Sequence, residues 1–381
     1  MSIIDHIFLF SLLFVVYSFW GKNNANMSGI NFWVAAIVPI FLYVFVVGSR
    51  YGWGPDYHWY VEQFENVELI DGQVAFKWLN QFLNYIEFNY VGAFMVYAFL
   101  FIVCIFVLLR FYGKSSMYMY CFLVPATLYI STSTIRQGVG MSFIVLALVF
   151  FYKRKWLFMS LAALIAFNIH SATIVTLASI IGISLVIKKP ISVWISIPIY
   201  LFLAHVFDMG KMTIIANLVE NLQVGDRFQG YIDKSEYWFG EEAMEDFYQY
   251  SRFSLTLISL SLFHISLFYY GYKALKVKEN KQVLYMYNTV VLGILFLKAV
   301  AHFEILRRFA QPMEMFYFIP LGYIFYVYYQ DSKYSSRPDA IRYRKYFPYI
   351  IMLILQYLFV HWGRLIFLNK DADFFWYHIS N

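Results

Sequence analysis

Four short polar segments hold the side chains best suited to bind an anion or move a proton in this chain. They are Arg50-Tyr51-Gly52-Trp53-Gly54-Pro55-Asp56-Tyr57, Ile135-Arg136-Gln137-Gly138, Asn168-Ile169-His170-Ser171 and Arg307-Arg308-Phe309. Guanidinium groups stay charged and grip phosphate oxygens in pairs, so Arg136, Arg307 and Arg308 are candidate ligands for a diphosphate. An imidazole titrates near neutral pH and can take a proton from a hydroxyl, which makes His170 a candidate base. Asp56 is a candidate sugar ligand. It lies in a loop containing Gly and Pro, crowded with Tyr51, Trp53, Tyr57, Trp59 and Tyr60. Aromatic faces beside a carboxylate suit a sugar, through stacking and hydroxyl hydrogen bonds.

Each group also has a plain structural reading. Arg136 can snorkel from an interfacial position. His170 can pack as a neutral ring bonded to Ser171 or Asn168. Asp56 can pair with Arg50, and the loop aromatics can form an interfacial belt. Arg307 and Arg308 can pair with Glu304 or Glu314. Two features weigh toward function. An arginine at membrane level is costly unless it is paired, hydrated or put to use, and Gly138 and Gly140 let backbone approach a ligand near Arg136.

The elements that must position these groups are apolar. Of 381 residues, 61% are hydrophobic and 14% charged, with a mean hydropathy of +0.59. A soluble domain carries about 25% charged residues. Apolar runs of about 17–22 residues are long enough to cross a core of roughly 30 Å, and they are continuous, without the alternation of a β-barrel. An all-α polytopic membrane protein with about 11–12 transmembrane helices is expected. Candidate spans fall at 3–20, 32–48, 91–110, 117–133, 135–152, 156–168, 170–187, 191–206, 251–272, 284–302, 308–329 and 347–363. The stretch 156–187 is too long for one upright span, so it is split at Asn168–His170.

Lysine and arginine concentrate at every second break. Lys153-Arg154-Lys155, then Lys273, Lys276, Lys278 and Lys281, then Lys333, Arg337, Arg342, Arg344 and Lys345 fall on one side. The positive-inside bias makes that side cytoplasmic and places all four polar segments on the other face. Two outer segments are substantial. Residues 49–90 contain an amphipathic stretch over 75–86 that should lie along the interface. Residues 207–250 are polar and acidic. The first apolar run lacks a small-residue cleavage site and is expected to remain as a span. Cys104 and Cys121 lie inside apolar runs and read as packing residues, not as a disulfide or metal pair. The dispersed +6 charge fits cytoplasmic loops better than nucleic-acid binding. No phosphate-binding loop, dinucleotide fingerprint, metal-ligand spacing or nucleophile elbow is present, so no metal or cofactor is expected. Without nucleotide machinery, an enzyme on the outer face needs a substrate that arrives activated. A lipid-linked diphosphate sugar meets that need.

The order and spacing of these motifs resemble the EpsG-type membrane proteins. The resemblance rests on Arg50-(x)5-Asp56-(x)3-Tyr60, Ile135-Arg136-Gln137-Gly138, the Arg154-Lys155 turn, Asn168-Ile169-His170-Ser171-Ala172 and Arg307-Arg308-Phe309, and covers residues 45–320. These proteins belong with the Wzy-type polysaccharide polymerases and more distantly resemble O-antigen ligases. The resemblance implies a metal-independent, inverting glycosyltransferase of the GT-C class, multi-pass in the bacterial inner membrane with its active face outside. It would move a growing glycan from undecaprenyl diphosphate to the non-reducing sugar of another lipid-linked unit. Arg136, Arg307 and Arg308 would bind the diphosphate, His170 would orient or deprotonate the acceptor, and Asp56 would be a second base or sugar ligand. Arg50, Trp53, Tyr57 and Tyr60 would shape the glycan side. The implied partners are lipid-linked donor and acceptor, the membrane and a chain-length regulator protein, with no nucleic acid.

Three other readings stay open at this level: a ligase that moves the finished glycan, a membrane acyltransferase, and a lipid-linked oligosaccharide flippase. A flippase predicts ionisable groups spread through the depth of the bundle. In the sequence, only Lys298 stands clearly within a span.

Overall fold

A computed structural model describes residues 3–49, 56–70, 72–207, 255–301, 304–331 and 346–358. Arg50, Trp53 and the acidic segment 208–254 lie outside the described residues. The described residues contain no strand. Helices α1 (Ile3–Asn24) and α2 (Gly29–Tyr43) form the first hairpin, and α2 ends in a π-helical turn, Val44–Gly48. Two short helices follow, α3 (Tyr57–Glu65) and α4 (Val74–Tyr85). Then come α5 (Tyr90–Tyr112), α6 (Met119–Thr132), α7 (Ile135–Tyr152), α8 (Trp156–Ile169), α9 (Thr173–Val186) and α10 (Val193–Leu201). Beyond the acidic segment lie α11 (Leu255–Val277), α12 (Lys281–Ala299), α13 (Glu304–Glu314), α14 (Phe318–Phe325) and α15 (Phe347–Leu358).

Within the described residues, each of the twelve expected spans falls on helical elements. Gly29–Gly48, Tyr90–Ser116, Ile135–Tyr152 and Lys281–Ala299 are each long and apolar enough to cross a bilayer, and shorter apolar helices accompany them. The chain is an all-α polytopic membrane protein. In lipid every backbone polar group must find an internal partner, which leaves helices as the solution for continuous apolar runs.

Local chemistry sets the helix ends. Asn89 Oδ1 accepts from Gly92 N at 2.8 Å and starts α5. Gly113, at φ +55, ends it in a conformation that glycine adopts freely. The split expected at 168–170 is present. His170 is extended, at φ −154 and ψ 104, and stops α8. Thr173 then restarts the helix: its backbone N and its Oγ1 both donate to His170 O, at 3.0 and 2.7 Å.

The main core joins α1, α2, α5, α6, α7, α11, α12, α14 and α15 through aromatic and aliphatic side chains. A second cluster builds the end of the bundle that carries the polar segments. Tyr57, Tyr60 and Phe64 of α3 and Phe76 and Leu83 of α4 pack on Phe94 and Tyr97 of α5, Ile135 and Val139 of α7 and Ile169 of α8. Tyr97 donates its hydroxyl to Asn80 Oδ1 at 2.6 Å, and Asn84 Nδ2 donates to Phe64 O at 2.8 Å. These contacts lash α4 to α5 and α3. The opposite face of α4 stays exposed and apolar, with Trp78, Phe82 and Tyr85 at 66, 57 and 85% exposure. An amphipathic helix with that outward stripe fits a position at the lipid surface.

Candidate active site

The tight α6–α7 turn sets Arg136. A Cβ on Gly138 would lie 2.8 Å from Ile130 O, so the start of α7 can fold back against the end of α6 only with glycine there. Gly140 does the same toward the next break. A Cβ on it would meet Thr173 Cγ2 at 2.9 Å and His170 Cβ at 3.3 Å. Two glycines thus bring the first turn of α7 against the α8–α9 break, and Arg136 and His170 enter one neighbourhood.

Two hydrogen bonds bring in further elements. The Arg136 backbone N–H donates to the Tyr60 hydroxyl at 3.4 Å, joining α7 to α3. Gln137 Nε2 donates to Arg308 O at 2.6 Å, joining α7 to α13. The charges of Arg136 and Arg308 both act on the His170 ring, and both act on Tyr60, together with Asp56. Asp56, Tyr60, Arg136, His170 and Arg308 therefore form one constellation, drawn from four stretches of chain. Tyr57 packs under α3 against Phe94. Arg307 is half-buried on α13, about 100° around the helix from Arg308.

The electrostatics of this constellation are distinctive. Burial, then the Arg136 and Arg308 charges, push His170 down from its ordinary value to about 4. The imidazole is therefore neutral at physiological pH, the form that can accept a proton. The packed-histidine reading does not hold for Nδ1: it has no hydrogen-bond partner among the described residues, and the Asn168 amide donates instead to Leu164 O at 2.8 Å. Arg136 Nε and Gln137 Oε1 also lack partners among the described residues. Burial raises the Tyr60 phenol, with Arg136 pulling it back, so Tyr60 stays neutral.

Gln137 and Thr173 were not assigned roles from sequence. Thr173 gives no signal beyond sitting three residues past an extended His170. Gln137 is adjacent to Arg136, but its tie to α13 is a contact across 171 positions that spacing does not reveal.

The expectation that only Lys298 stands within a span is incomplete. His264 of α11 is buried, and its Nε2 lies 3.4 Å from Glu314 Oε1 of α13. Its Nδ1 bonds the Tyr200 hydroxyl at 3.0 Å. Tyr200 bonds Ser261 Oγ at 3.3 Å, and His205 Nε2 bonds the same oxygen at 3.0 Å. Glu314 lies six residues, about 9 Å, along α13 from Arg308. Helical spacing in apolar sequence left this pair unread, because its members are 50 positions apart and on different helices.

The described residues thus form a helical membrane bundle with Arg136, His170 and Arg308 gathered in one neighbourhood. The chain belongs to the EpsG family, whose model matches residues 32–369. No match was found among curated proteins or solved structures. Family membership supports a part in polysaccharide biosynthesis.

Proposed function

We propose that this chain is a polysaccharide polymerase that joins lipid-linked oligosaccharide repeat units at the outer face of the bacterial inner membrane. The observation that carries the reading is the convergence of Arg136 and Arg308 on a neutral His170. The acceptor hydroxyl oxygen attacks the anomeric carbon of the donor glycan from the side opposite the diphosphate. The bond between that carbon and the diphosphate oxygen breaks, and its electron pair leaves with the undecaprenyl diphosphate. Back-side attack inverts the anomeric centre. His170 takes the hydroxyl proton. Arg136 and Arg308, with Arg307 beside them, neutralise the charge that grows on the leaving diphosphate. Asp56, Tyr57 and Tyr60 line the glycan side, and Arg50 and Trp53 of the same segment are assigned there from the motif. The arginine chemistry requires no metal, and a chain-length regulator is the expected protein partner.

The test is genetic and direct. In a strain lacking the gene, complementation with Arg136→Ala or His170→Ala should leave glycans one repeat unit long, at unchanged protein level. Unaltered chain length on deletion would sink the reading.

A second reading, a lipid-linked oligosaccharide flippase, draws on the buried His264–Glu314 pair within the bundle. It predicts lipid-linked units trapped on the cytoplasmic face after deletion, where the polymerase reading predicts single units displayed outside.

A further inference from the structure

An apolar cavity of about 500 Å³ opens beside the candidate site. Four stretches of chain line it, among them Val175, Ser179 and Ile183 of α9, Leu203 of the turn after α10, Phe296 of α12, and Phe309 and Met313 of α13. Protein interiors seldom hold gaps much larger than a water molecule, since unpaired apolar surface forfeits dispersion contacts. The walls are not closed, because Val175 and Phe296 are 43 and 38% exposed where the cavity reaches the outside of the bundle.

Its position decides what it takes. Phe309 follows Arg308 directly, and Val175 lies two residues past Thr173, which is bonded to His170. The wall on α9 then runs eight residues, about 12 Å, away from that end. An apolar trough therefore begins near the cationic cluster and runs along the bundle, with Val175 and Phe296 exposed at its edge.

We infer that this trough seats the prenyl tail of the lipid-linked diphosphate donor, while Arg136 and Arg308 hold its diphosphate. The inference rests on the polymerase reading and adds a direction to it. The donor enters from the α9–α12–α13 side, and the acceptor comes from the side of α3 and α4. The charge is complementary, cations at the head and no ionised side chain along the wall. The acceptor's tail and an ordinary phospholipid are the other possible occupants.

The experiment uses the full chain purified in lipid nanodiscs and a polyprenyl diphosphate carrying a diazirine on its tail. Crosslinks should map to α9, α12 and α13, be competed by unlabelled polyprenyl diphosphate, and resist an excess of phosphatidylglycerol. Crosslinks against α3 and α4, or equal competition by the phospholipid, would overturn the assignment. The second readout compares two donors with the same glycan diphosphate, one on a long prenyl tail and one on a short alkyl tail. Ser179→Trp and Met313→Trp, which fill the trough, should cut the long-tail preference in kcat/KM tenfold or more. An unchanged preference in folded variants also overturns it. Crosslinks in the trough from a protein that polymerises neither donor would uphold the tail seat and defeat the polymerase reading alone.

Discussion

The bundle contains two polar clusters less than two helical turns apart along α13, and they are built on opposite terms. Around His264 the side chains answer one another: each ring nitrogen has a partner, and Tyr200, Ser261 and His205 extend the chain of bonds. Around His170 they do not. Arg136 Nε, His170 Nδ1 and Gln137 Oε1 are buried without partners among the described residues. A buried polar group left unmatched costs about 1–3 kcal/mol. A network that satisfies itself holds helices together. On the polymerase reading, the unspent donors and acceptors around His170 are completed by the substrate. On that reading, the difference separates structural polarity from the proposed reaction site.

Breaking that comparison is straightforward. The largest effect is expected from Arg136→Ala or His170→Ala, with loss of glycan elongation of about 10²–10⁴-fold and no loss of membrane-inserted protein. Glycan ladders read alongside protein level test this, and elongation by both variants would make the outer cluster structural. Next comes the inner cluster, with the reverse pattern. His264→Leu removes one partner from Glu314 and one from the Tyr200 hydroxyl, so thermal stability should drop by about 1–3 kcal/mol while activity per folded molecule persists. A stable but inactive His264→Leu would move the inner cluster into the catalytic account.

The third prediction concerns pH. His170 is held at about 4, below its free value of 6.5. Activity should therefore lose its base only as pH falls through about 4, not through the neutral range. The same shift has a stability consequence of fixed sign. Between pH 6.5 and about 4 the unfolded chain binds the proton that the folded chain refuses. This residue accordingly weakens the fold as pH drops through that window. Arg136→Lys keeps a charge nearby and should leave the acid limb close to its place. Arg136→Gln removes one of the depressing charges and should move the limb upward in whatever activity remains. A limb that ignores Arg136 would show that burial alone sets the histidine.

The smallest effect is expected from Tyr60→Phe. Its hydroxyl accepts one long bond, 3.4 Å, from Arg136 N, and losing it should change kcat/KM by a few-fold, equivalent to about 0.5–1.5 kcal/mol.

Much of this architecture was legible along the chain. Continuous apolar runs leave helices as the only backbone solution in lipid, so the spans, the amphipathic α4 and the break at His170 could be placed from sequence. Arg136 and His170 stood out because ionisable groups at span ends are expensive. The partners were not legible. Gln137 reaches Arg308 across α7 and α13, His264 finds Glu314 across α11 and α13, and the trough exists only because apolar faces of separate helices meet around it. Each face alone reads as ordinary lipid-facing helix.

By itself, then, the sequence determined that the chain spans a membrane in helices and which breaks carry reactive groups, because hydrophobicity and backbone hydrogen bonding act locally. Only the tertiary structure decided which of those groups meet. It paired His264 with Glu314 and left His170 beside Arg136 and Arg308, because helix packing brings distant residues together through small contacts, such as Gly138 against Ile130, that no local pattern announces.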